Sequence, residues 1–238
     1  MALSILYEDE QVLVVDKPSG MLVHRGWGDD AVTLVDLVRD RTEHGAAHPV
    51  QRLDRGASGA IVFARDATSA RLLAEAMERG ELEKRYVAIV RGIFVAPAPD
   101  QVTTIDHAIP RKEGGPRVPA TTSVWLLATA ACEPRSASLV CARPHTGRLH
   151  QIRKHLKHAG HPLLGDASYG KGDLNRAFAE RHGLSRLALH ARWFRFRNPV
   201  TGALVAGEAP MPDDLIAPMR SMGLDDGGFA PLLLDPLA

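Results

Sequence analysis

Short apolar runs rich in β-branched residues recur along the chain, and turn-forming sequences end most of them. The first two runs, 5–7 and 12–15, are separated by acidic residues typical of a turn and predict a hairpin. Further strand-like runs follow at the positions 60–64, 86–95, 121–127, 138–142 and 187–196. Few helix-like segments lie between them, which favours an α+β fold over a regular alternation of strands and helices.

Helix-like periodicity occurs in three of the intervening segments. Residues 32–39 have apolar side chains on one face, and Asp66 is placed to cap a second helix that Gly80 would end. The third segment is 146–160. The 238 residues allow one or two domains. We expect one domain over 1–222 and a loosely attached tail over 223–238, which is rich in Gly and Pro.

The composition excludes several classes of protein. Lys and Arg number 29 and Asp and Glu 28, so the net charge of +1 does not by itself indicate a nucleic-acid partner. The longest uncharged apolar stretch, 124–132, is too short to cross a bilayer, and the first residues do not resemble a secretory leader. The two cysteines, Cys132 and Cys141, are too few for a disulfide framework, which predicts a cytoplasmic protein without membrane attachment.

The periodicity of 146–160 places a charged residue on an apolar helix face. At about 100° per residue and with Leu149 as zero, Arg153 falls at about 40°, on the apolar side formed with Leu156 and Ile152. Gln151 and Lys154 face the opposite way, toward solvent or a ligand. Burying a guanidinium is costly unless a carboxylate accepts its hydrogen bonds, so Arg153 should have an acidic partner. The alternative is a buried stem whose charged head reaches water.

Asp54 is the predicted partner of Arg153. It stands between Arg52 and Arg55 in a turn that leads into the apolar run 60–64, so positive neighbours would keep its carboxylate ionised. Such an aspartate is suited to act as a nucleophile or a base rather than as a proton donor. The alternative is a turn-capping aspartate that makes only local hydrogen bonds.

Four sequence blocks occur in a defined order. They are Lys17-Pro18-Ser19-Gly20; Arg52-Leu53-Asp54-Arg55 with Ser58-Gly59; Lys84-Arg85-Tyr86-Val87-Ala88-Ile89-Val90-Arg91-Gly92; and Thr146-Gly147-Arg148-Leu149-His150-Gln151-Ile152-Arg153 with Gly160-His161-Pro162-Leu163-Leu164-Gly165-Asp166. Their order and spacing resemble the RluA family of RNA pseudouridine synthases over about residues 4–206. Any one block alone would be a weak signal, whereas a chance match of all four is very improbable.

The resemblance implies a fold and a chemistry. The fold is α+β, with an extended mixed or mostly antiparallel sheet, flanking helices and loops, and a central cleft. The reaction isomerises a uridine in RNA to pseudouridine without a cofactor or a metal. Asp54 matches the catalytic aspartate, which either attacks C1′ or removes the 2′ proton, and Arg153 matches the arginine paired with it. Tyr86 matches the tyrosine that stacks on the uracil and removes the final proton, although alone it would be expected to be a core aromatic.

The resemblance also assigns residues to the binding of RNA. A uridine in folded RNA has to leave its base stack, and Arg52 matches the arginine that fills the gap. Taken alone, Arg52 would be expected to form a simple salt bridge. Ile152 would pack against the flipped base. Lys17 and Pro18 match a block that shapes the supporting loop, so their expected role is structural.

Local charge predicts further contacts with RNA. Segment 143–171 contains six Lys and Arg residues and a single acid, a local net charge of +5. Arg148, Lys154 and Lys157 are therefore predicted to bind phosphates, although such clusters are commonly solvated helix faces. The basic residues of the loop 110–119 would add a second contact, or simply face solvent.

The substrate and the alternative functions follow from the same resemblance. The stretch 175–191 is most similar to the synthase C branch of the family, so the expected substrate is tRNA, at a T-stem uridine. Ribosomal RNA is the alternative substrate. A non-catalytic RNA-binding module is the alternative class, but phosphate binding does not require the set Asp54, Tyr86 and Arg153. We expect a monomer with no protein partner.

Two positions depart from the family pattern. Gln51 stands where the family usually has His, and Ala57 stands where it usually has Thr. Neither change removes an assigned catalytic atom, but both put the hydrogen bonds that orient the loop in doubt.

Five histidines between 145 and 161 raise a metal-site alternative. His155 and His158 are separated by about one helical turn, and His161 follows beyond a glycine. No hydrolase motif such as His-Glu-x-x-His is present in the sequence, so a metallohydrolase is the weaker hypothesis.

Overall fold

The computed structural model describes residues 3–25, 32–42, 45–96, 101–110 and 114–224. The chain divides into two compact units. Unit 1 comprises Met1–Lys84 and Ala191–Pro210, and unit 2 comprises Arg85–His190 and Met211–Ala238. The predicted tail over 223–238 lies outside the described residues except for its first two positions.

Twelve strands and five helices are formed by the described residues. In chain order they are β1 (Ser4–Glu8), β2 (Val12–Lys17), α1 (Leu34–Arg39), β3 (His48–Pro49), β4 (Ser58–Ala64), α2 (Ala67–Glu78), β5 (Glu83–Arg91), β6 (Thr103–Asp106), β7 (Ile109–Pro110), β8 (Arg117–Val118), β9 (Thr121–Ala130), β10 (Ala137–Pro144), α3 (Gln151–His158), α4 (Gly172–His182), β11 (Leu189–Arg197), β12 (Leu204–Glu208) and α5 (Asp213–Met222). This mixture of many strands and few helices confirms the predicted α+β class.

Unit 1 contains the predicted N-terminal hairpin. Strand β2 pairs antiparallel with β1 and with β4, and β12 pairs antiparallel with β11. Alternate residues of β2 and β4, such as Val14 and Val62, share one core cluster with Leu73 of α2 and with Phe194. The side chain of Asp66 accepts a hydrogen bond from the Ser69 N–H and caps α2 as predicted. Burial of the apolar face of α2 therefore closes one side of these strands.

Unit 2 is organised around β10. This strand pairs antiparallel with both β5 and β9, and β6 pairs with β9. Segment 110–119, predicted to be a loop, contributes residues to the small hairpin of β7 and β8. Helices α4 and α5 were not predicted, because α4 buries only Phe178 and α5 contains Pro218 in its interior, so neither has a simple pattern. Within the described residues, no helix is long and apolar enough to span a membrane.

Gly59 is required by a close approach of two backbones in unit 1. Its φ is +107°, a region that residues with a side chain rarely adopt. A Cβ atom added there would lie 2.3 Å from the carbonyl oxygen of Ala191. The contact is with backbone, so neither partner can move aside by changing a rotamer. Gly59 therefore lets β4 lie directly beside the start of the 191–210 segment.

Replacement of this glycine should be much more costly than replacement of an uncrowded one. We expect Gly59→Ala to lower the free energy of unfolding by more than about 2 kcal/mol, because strain and a steric clash add. Gly80→Ala is the matched control, since Gly80 also has a positive φ, +76°, but no atom within 4 Å of its added Cβ. Urea unfolding of both variants measures the difference. Equal losses would show that the close approach does not exist.

Candidate active site

A buried lysine anchors the turn that carries Asp54. The ammonium Nζ of Lys17 donates to the carbonyl oxygens of Pro18 and Met21, each at 2.9 Å, and of Arg55 at 3.2 Å. The N–H of Gly20 donates to the same Arg55 oxygen, and the Arg55 Nε donates back to Gly20 O. These contacts join the first two sequence blocks within unit 1. They give Lys17 a supporting role, in agreement with the role expected from the sequence.

Asp54 and Arg52 differ in exposure within this turn. Asp54 is half-buried and Arg52 is exposed. The Ala57 N–H donates to the Asp54 carbonyl oxygen at 3.1 Å and closes the turn. Burial and the charge of Arg52 lower the pKa of His24, so the guanidinium lies close to that ring. His24 lines a cavity of about 670 Å³ whose other lining residues include Arg25, Asp36, Arg39 and His48.

The two departures from the family pattern are both buried. The Nε2 of Gln51 donates to the Ala60 carbonyl oxygen at 3.3 Å. Its Oε1 is buried and has no hydrogen-bond partner among the described residues. Ala57 is fully buried, and its methyl group offers no hydroxyl to the turn. The loop thus has one hydrogen bond from the Gln51 side chain and no hydroxyl at position 57, beside the backbone and Lys17 contacts.

Tyr86 lies in β5 and belongs to unit 2. Its side chain is buried, and its register partner on β10 is Ala142. Asp54 lies in unit 1, whereas Tyr86 and Arg153 lie in unit 2. The close approach of Asp54 to Tyr86 and Arg153 stays a prediction.

Arg153 forms a two-point ion pair with Asp166. The Nε atom of Arg153 donates to Oδ2 of Asp166 at 2.7 Å, and its Nη2 donates to Oδ1 at 2.8 Å. The Arg153 side chain is 9% exposed and that of Asp166 is fully buried. The helix-face prediction that Arg153 is buried and has an acidic partner is confirmed. Asp166 is a partner that helical periodicity did not indicate, and the further pairing with Asp54 stays a prediction.

The Asp166 carboxylate is itself held by the turn that follows it. Its Oδ1 accepts hydrogen bonds from the N–H groups of Ser168 and Tyr169, each at 2.9 Å. Burial alone would raise the pKa of this carboxyl. The hydrogen bond from Arg153, with those from Tyr169 and Ser168, outweighs burial, so the pKa of Asp166 is lowered. Asp166 is therefore ionised at neutral pH and gives Arg153 a negative partner.

Tyr169 packs against the same guanidinium. The Arg153 Cζ lies 4.9 Å from the centroid of the Tyr169 ring, and the Lys157 ammonium lies 5.5 Å from it. The Tyr169 hydroxyl is 3.0 Å from Nδ1 of His150. His150 precedes α3 and has a φ of +55°, so this contact secures the beginning of the helix that carries Arg153.

The side chain of Gln151 does not face solvent or a ligand, although helical periodicity predicts that it does. Its side chain is buried rather than facing solvent or a ligand. Its Nε2 donates to Thr121 O at 2.9 Å and Thr122 Oγ1 at 3.0 Å, and its Oε1 accepts from Thr146 Oγ1 at 2.6 Å. The prediction was wrong because α3 is buried on two sides and starts at residue 151, not 146. A polar residue in such a helix can be satisfied inside the protein.

The remaining predicted RNA-binding residues all lie in unit 2. Ile152 is buried, Lys154 is half-buried, and Lys157 and Arg148 are exposed. The Nε of Arg148 donates to Pro119 O at 3.3 Å. Exposure leaves the charged ends of Arg148 and Lys157 accessible to an anion.

The histidines of this segment have structural partners. His155 is fully buried, with Nδ1 2.8 Å from Thr122 Oγ1 and Nε2 2.9 Å from His107 O. The ring of His158 stacks on that of His107 at 3.6 Å. In the part of the chain that the structure describes, no group of three or more His, Cys, Asp or Glu side chains is arranged to hold a metal ion. These contacts disfavour the metallohydrolase hypothesis.

Asp166 and Tyr169 are the site residues that sequence reasoning missed. A usable signal was present, since Asp166 is the single acid among six basic residues in segment 143–171. A lone carboxylate in a basic segment is the natural partner of a buried arginine. The sequence offered no comparable signal for Tyr169.

Comparisons with known proteins show which family the chain belongs to. The family model for RNA pseudouridylate synthase matches residues 11–158. The chain is 39% identical over 215 residues to the tRNA pseudouridine synthase C of Haemophilus ducreyi, covering 84% of this chain and 88% of that protein. It is 35% identical to the ribosomal large subunit pseudouridine synthase D of Xanthomonas campestris, covering 97% of this chain and 72% of that protein.

A solved structure is also similar. The human RNA pseudouridylate synthase domain containing 1 superposes with a TM-score of 0.71 and 28% identity, covering 89% of this chain and 84% of that chain. The chain therefore belongs to the RNA pseudouridylate synthase family, in the RluA group that its four sequence blocks resemble. It is an RNA pseudouridine synthase, and its reaction is an isomerisation.

Lys84, two residues before Tyr86, is a buried cation. It is 9% exposed, and within the described ranges no hydrogen bond or ion pair involves its ammonium. Burial lowers the pKa of Lys84 to about 8. Because the folded pKa lies below the ordinary value of 10.5, the charged form destabilises the folded state. This penalty is complete below pH 8 and is released as the pH rises from about 8 to 10.5.

Removal of this charge should stabilise the protein. We expect Lys84→Met to raise the free energy of unfolding at pH 7 by about 1–3 kcal/mol, since one pKa unit corresponds to about 1.4 kcal/mol. The gain should shrink as the pH rises from 8 toward 10.5. Chemical denaturation across this range measures it, with exposed Lys157→Met as the control that shows no such trend. A less stable Lys84→Met at pH 7 would mean that the ammonium has a stabilising partner.

Proposed function

We propose that this chain converts a uridine in structured tRNA, at a T-stem position, to pseudouridine, with Asp54 as the catalytic carboxylate. The observation that carries the proposal is the 39% identity to a tRNA pseudouridine synthase C over most of both chains. The Arg-Leu-Asp-Arg block and the Gln-Ile-Arg block both lie in the region that the family model matches.

The proposed reaction leaves the composition of the nucleotide unchanged. The N1–C1′ bond breaks, the uracil turns, and a C5–C1′ bond forms. The C5 proton is then lost, and N1 gains one. Asp54 starts the sequence in one of two ways, and both need an ionised carboxylate. It attacks C1′ to form an ester that C5 then displaces, or it removes the 2′ proton and returns it to C2′ as the C5–C1′ bond forms. No cofactor or metal enters these steps.

Arg153 is proposed to hold the Asp54 carboxylate. A guanidinium has five N–H donors, and the pair with Asp166 uses two of them. A carboxylate bound at the Nη1 edge would leave the pair with Asp166 intact. An acceptor held in this way keeps both its charge and its direction. Arg153 is also bound to Asp166, so it cannot rotate freely to follow Asp54.

The other site residues are proposed to handle the base. Tyr86 stacks on the uracil and removes the C5 proton in the final step. Its buried position supports this role, because a dry environment favours stacking on a flipped base. Ile152 packs on the second face of the base. Arg52 is exposed on its turn and is proposed to fill the gap that the flipped nucleotide leaves.

Phosphate binding is assigned to the basic residues of unit 2. Arg148, Lys154 and Lys157 lie in or just before α3, within a segment of local charge +5. Neutralising phosphates with such side chains releases counterions, so affinity falls with salt. A non-catalytic RNA-binding module would need these residues alone and would have no use for a buried arginine paired with a carboxylate.

Ribosomal RNA is the second candidate substrate. The 35% identity to a ribosomal large subunit pseudouridine synthase D, over 97% of this chain, favours it. Under either substrate we propose one catalytic domain over residues 1–222, a monomeric state and a cytoplasmic location. Sequencing pseudouridines in cellular RNA from a strain without this gene decides between the substrates.

The role of Asp54 is tested by an isosteric substitution. We expect Asp54→Asn to abolish pseudouridine formation in tRNA transcripts while RNA affinity stays within roughly threefold, because the amide keeps the shape but not the charge. Chromatography of the digested nucleosides measures the product, and filter binding measures affinity. Asp40→Asn, which removes an exposed charge in the same unit, is the matched control. Full turnover by Asp54→Asn would refute this role.

The phosphate-binding assignment has a separate test. Lys157→Gln should weaken RNA binding and reduce the slope of log K against log salt by about 1, because one phosphate contact is lost. Pseudouridine formation at saturating RNA should persist. Lys171→Gln, an exposed residue of the same basic segment, is the comparison variant. An unchanged salt slope in Lys157→Gln would contradict the assignment.

A further inference from the structure

We propose that Asp166 and Tyr169 are positioning residues for catalysis. They act by holding the guanidinium of Arg153 in one plane and at one position. This inference rests on the proposed function, because it gives Arg153 a role in the reaction. It adds two residues that do not touch the reacting atoms in the proposed mechanism. All contacts that support it lie within unit 2.

The first support is the direction of the ion pair. Asp166 receives Nε and Nη2, which lie on one edge of the guanidinium, with donor–acceptor distances of 2.7 and 2.8 Å. Two parallel hydrogen bonds define the plane of both groups, which one bond would not. The opposite edge of the guanidinium, with Nη1, is thereby turned in a defined direction.

The second support is that the carboxylate cannot follow a moving arginine. The N–H groups of Ser168 and Tyr169 donate to its Oδ1. The main chain is held as well, because the Nδ2 of Asn175 donates to Asp166 O at 3.0 Å and Gly165 N–H donates to Asn175 Oδ1 at 3.1 Å. These bonds tie the Asp166 turn to α4. A reference point fixed in this way suits a positioning role.

The third support is the aromatic ring beside the guanidinium. Tyr169 lies 4.9 Å from the Arg153 Cζ, so a plane already defined by Asp166 is also supported from one side. The contact of the Tyr169 hydroxyl with His150 joins this ring to the first residue before α3. Arg153 is therefore attached at two points to the turn 166–169.

The negative charge of Asp166 also compensates the buried positive charge of Arg153. Arg153 is buried within a segment of local charge +5, and Asp166 is the only acid of that segment. Without the Asp166 carboxylate, the buried Arg153 guanidinium would lose this ion pair. The guanidinium would then be drawn toward any other acceptor, including an RNA phosphate. Asp166 keeps it available in one orientation for the catalytic carboxylate.

The test uses Asp166→Asn, which preserves size and removes the charge. We expect the single-turnover rate to fall about 100-fold, because a displacement near 1 Å of a catalytic group has an effect of this size. The dissociation constant of the RNA should stay within roughly threefold, since no RNA contact is removed. Asp173→Asn is the matched control, because Asp173 is an exposed acid of α4 in the same unit. It should leave the rate unchanged.

Tyr169→Leu is the second variant, and it decides the question if Asp166→Asn does not fold. Tyr169 is half-buried, so its loss should be tolerated, and we expect about a tenfold lower rate with unchanged RNA affinity. A purely structural role would instead lower the melting temperature without a selective loss of rate. Rates within threefold of wild type in the folded variants overturn this inference. An inactive wild-type enzyme would contradict the proposed function itself, which is a different result.

Discussion

A guanidinium that is buried in an apolar environment must be matched by a carboxylate, and the Arg153–Asp166 pair meets this requirement. The pair joins helix α3 to the turn before α4, with two hydrogen bonds whose distances are 2.7 and 2.8 Å. Removing one partner of such a pair is strongly destabilising, because the other charge remains buried. The position of the helix and the direction of its arginine are thus determined together.

A second buried cation performs the equivalent task in unit 1, by different means. Lys17 has carbonyl oxygens as acceptors, and one of them belongs to Arg55, the residue after Asp54. The lysine therefore restrains the main chain of the turn and leaves the Asp54 side chain to other contacts. In both units a buried cation with several hydrogen bonds of its own supports a short segment that carries a proposed catalytic group. Each segment is held by hydrogen bonds of defined direction, which apolar packing alone would not supply.

Much of the fold could be predicted from the sequence, and the failures have physical causes. Strand positions followed from β-branched runs, and the burial of Arg153 followed from helical periodicity. The acidic partner Asp166 was missed because it lies 13 residues away in a turn, where periodicity carries no information. Gln151 was placed wrongly because two of its four side-chain hydrogen bonds are tertiary, to Thr121 and Thr122, and helical periodicity does not show them. Helix α5 was missed because Pro218 hides its pattern.

The most direct test of the central interaction is a double-mutant cycle on the single-turnover rate of pseudouridine formation. The cycle compares Arg153→Lys, Asp166→Asn and the double variant with the wild-type enzyme. If Asp166 acts through Arg153, the double variant should be no slower than the slower of the two single variants, since the same geometry is lost once. If the two losses multiply instead, the two residues act independently, and the positioning of Arg153 by Asp166 is contradicted.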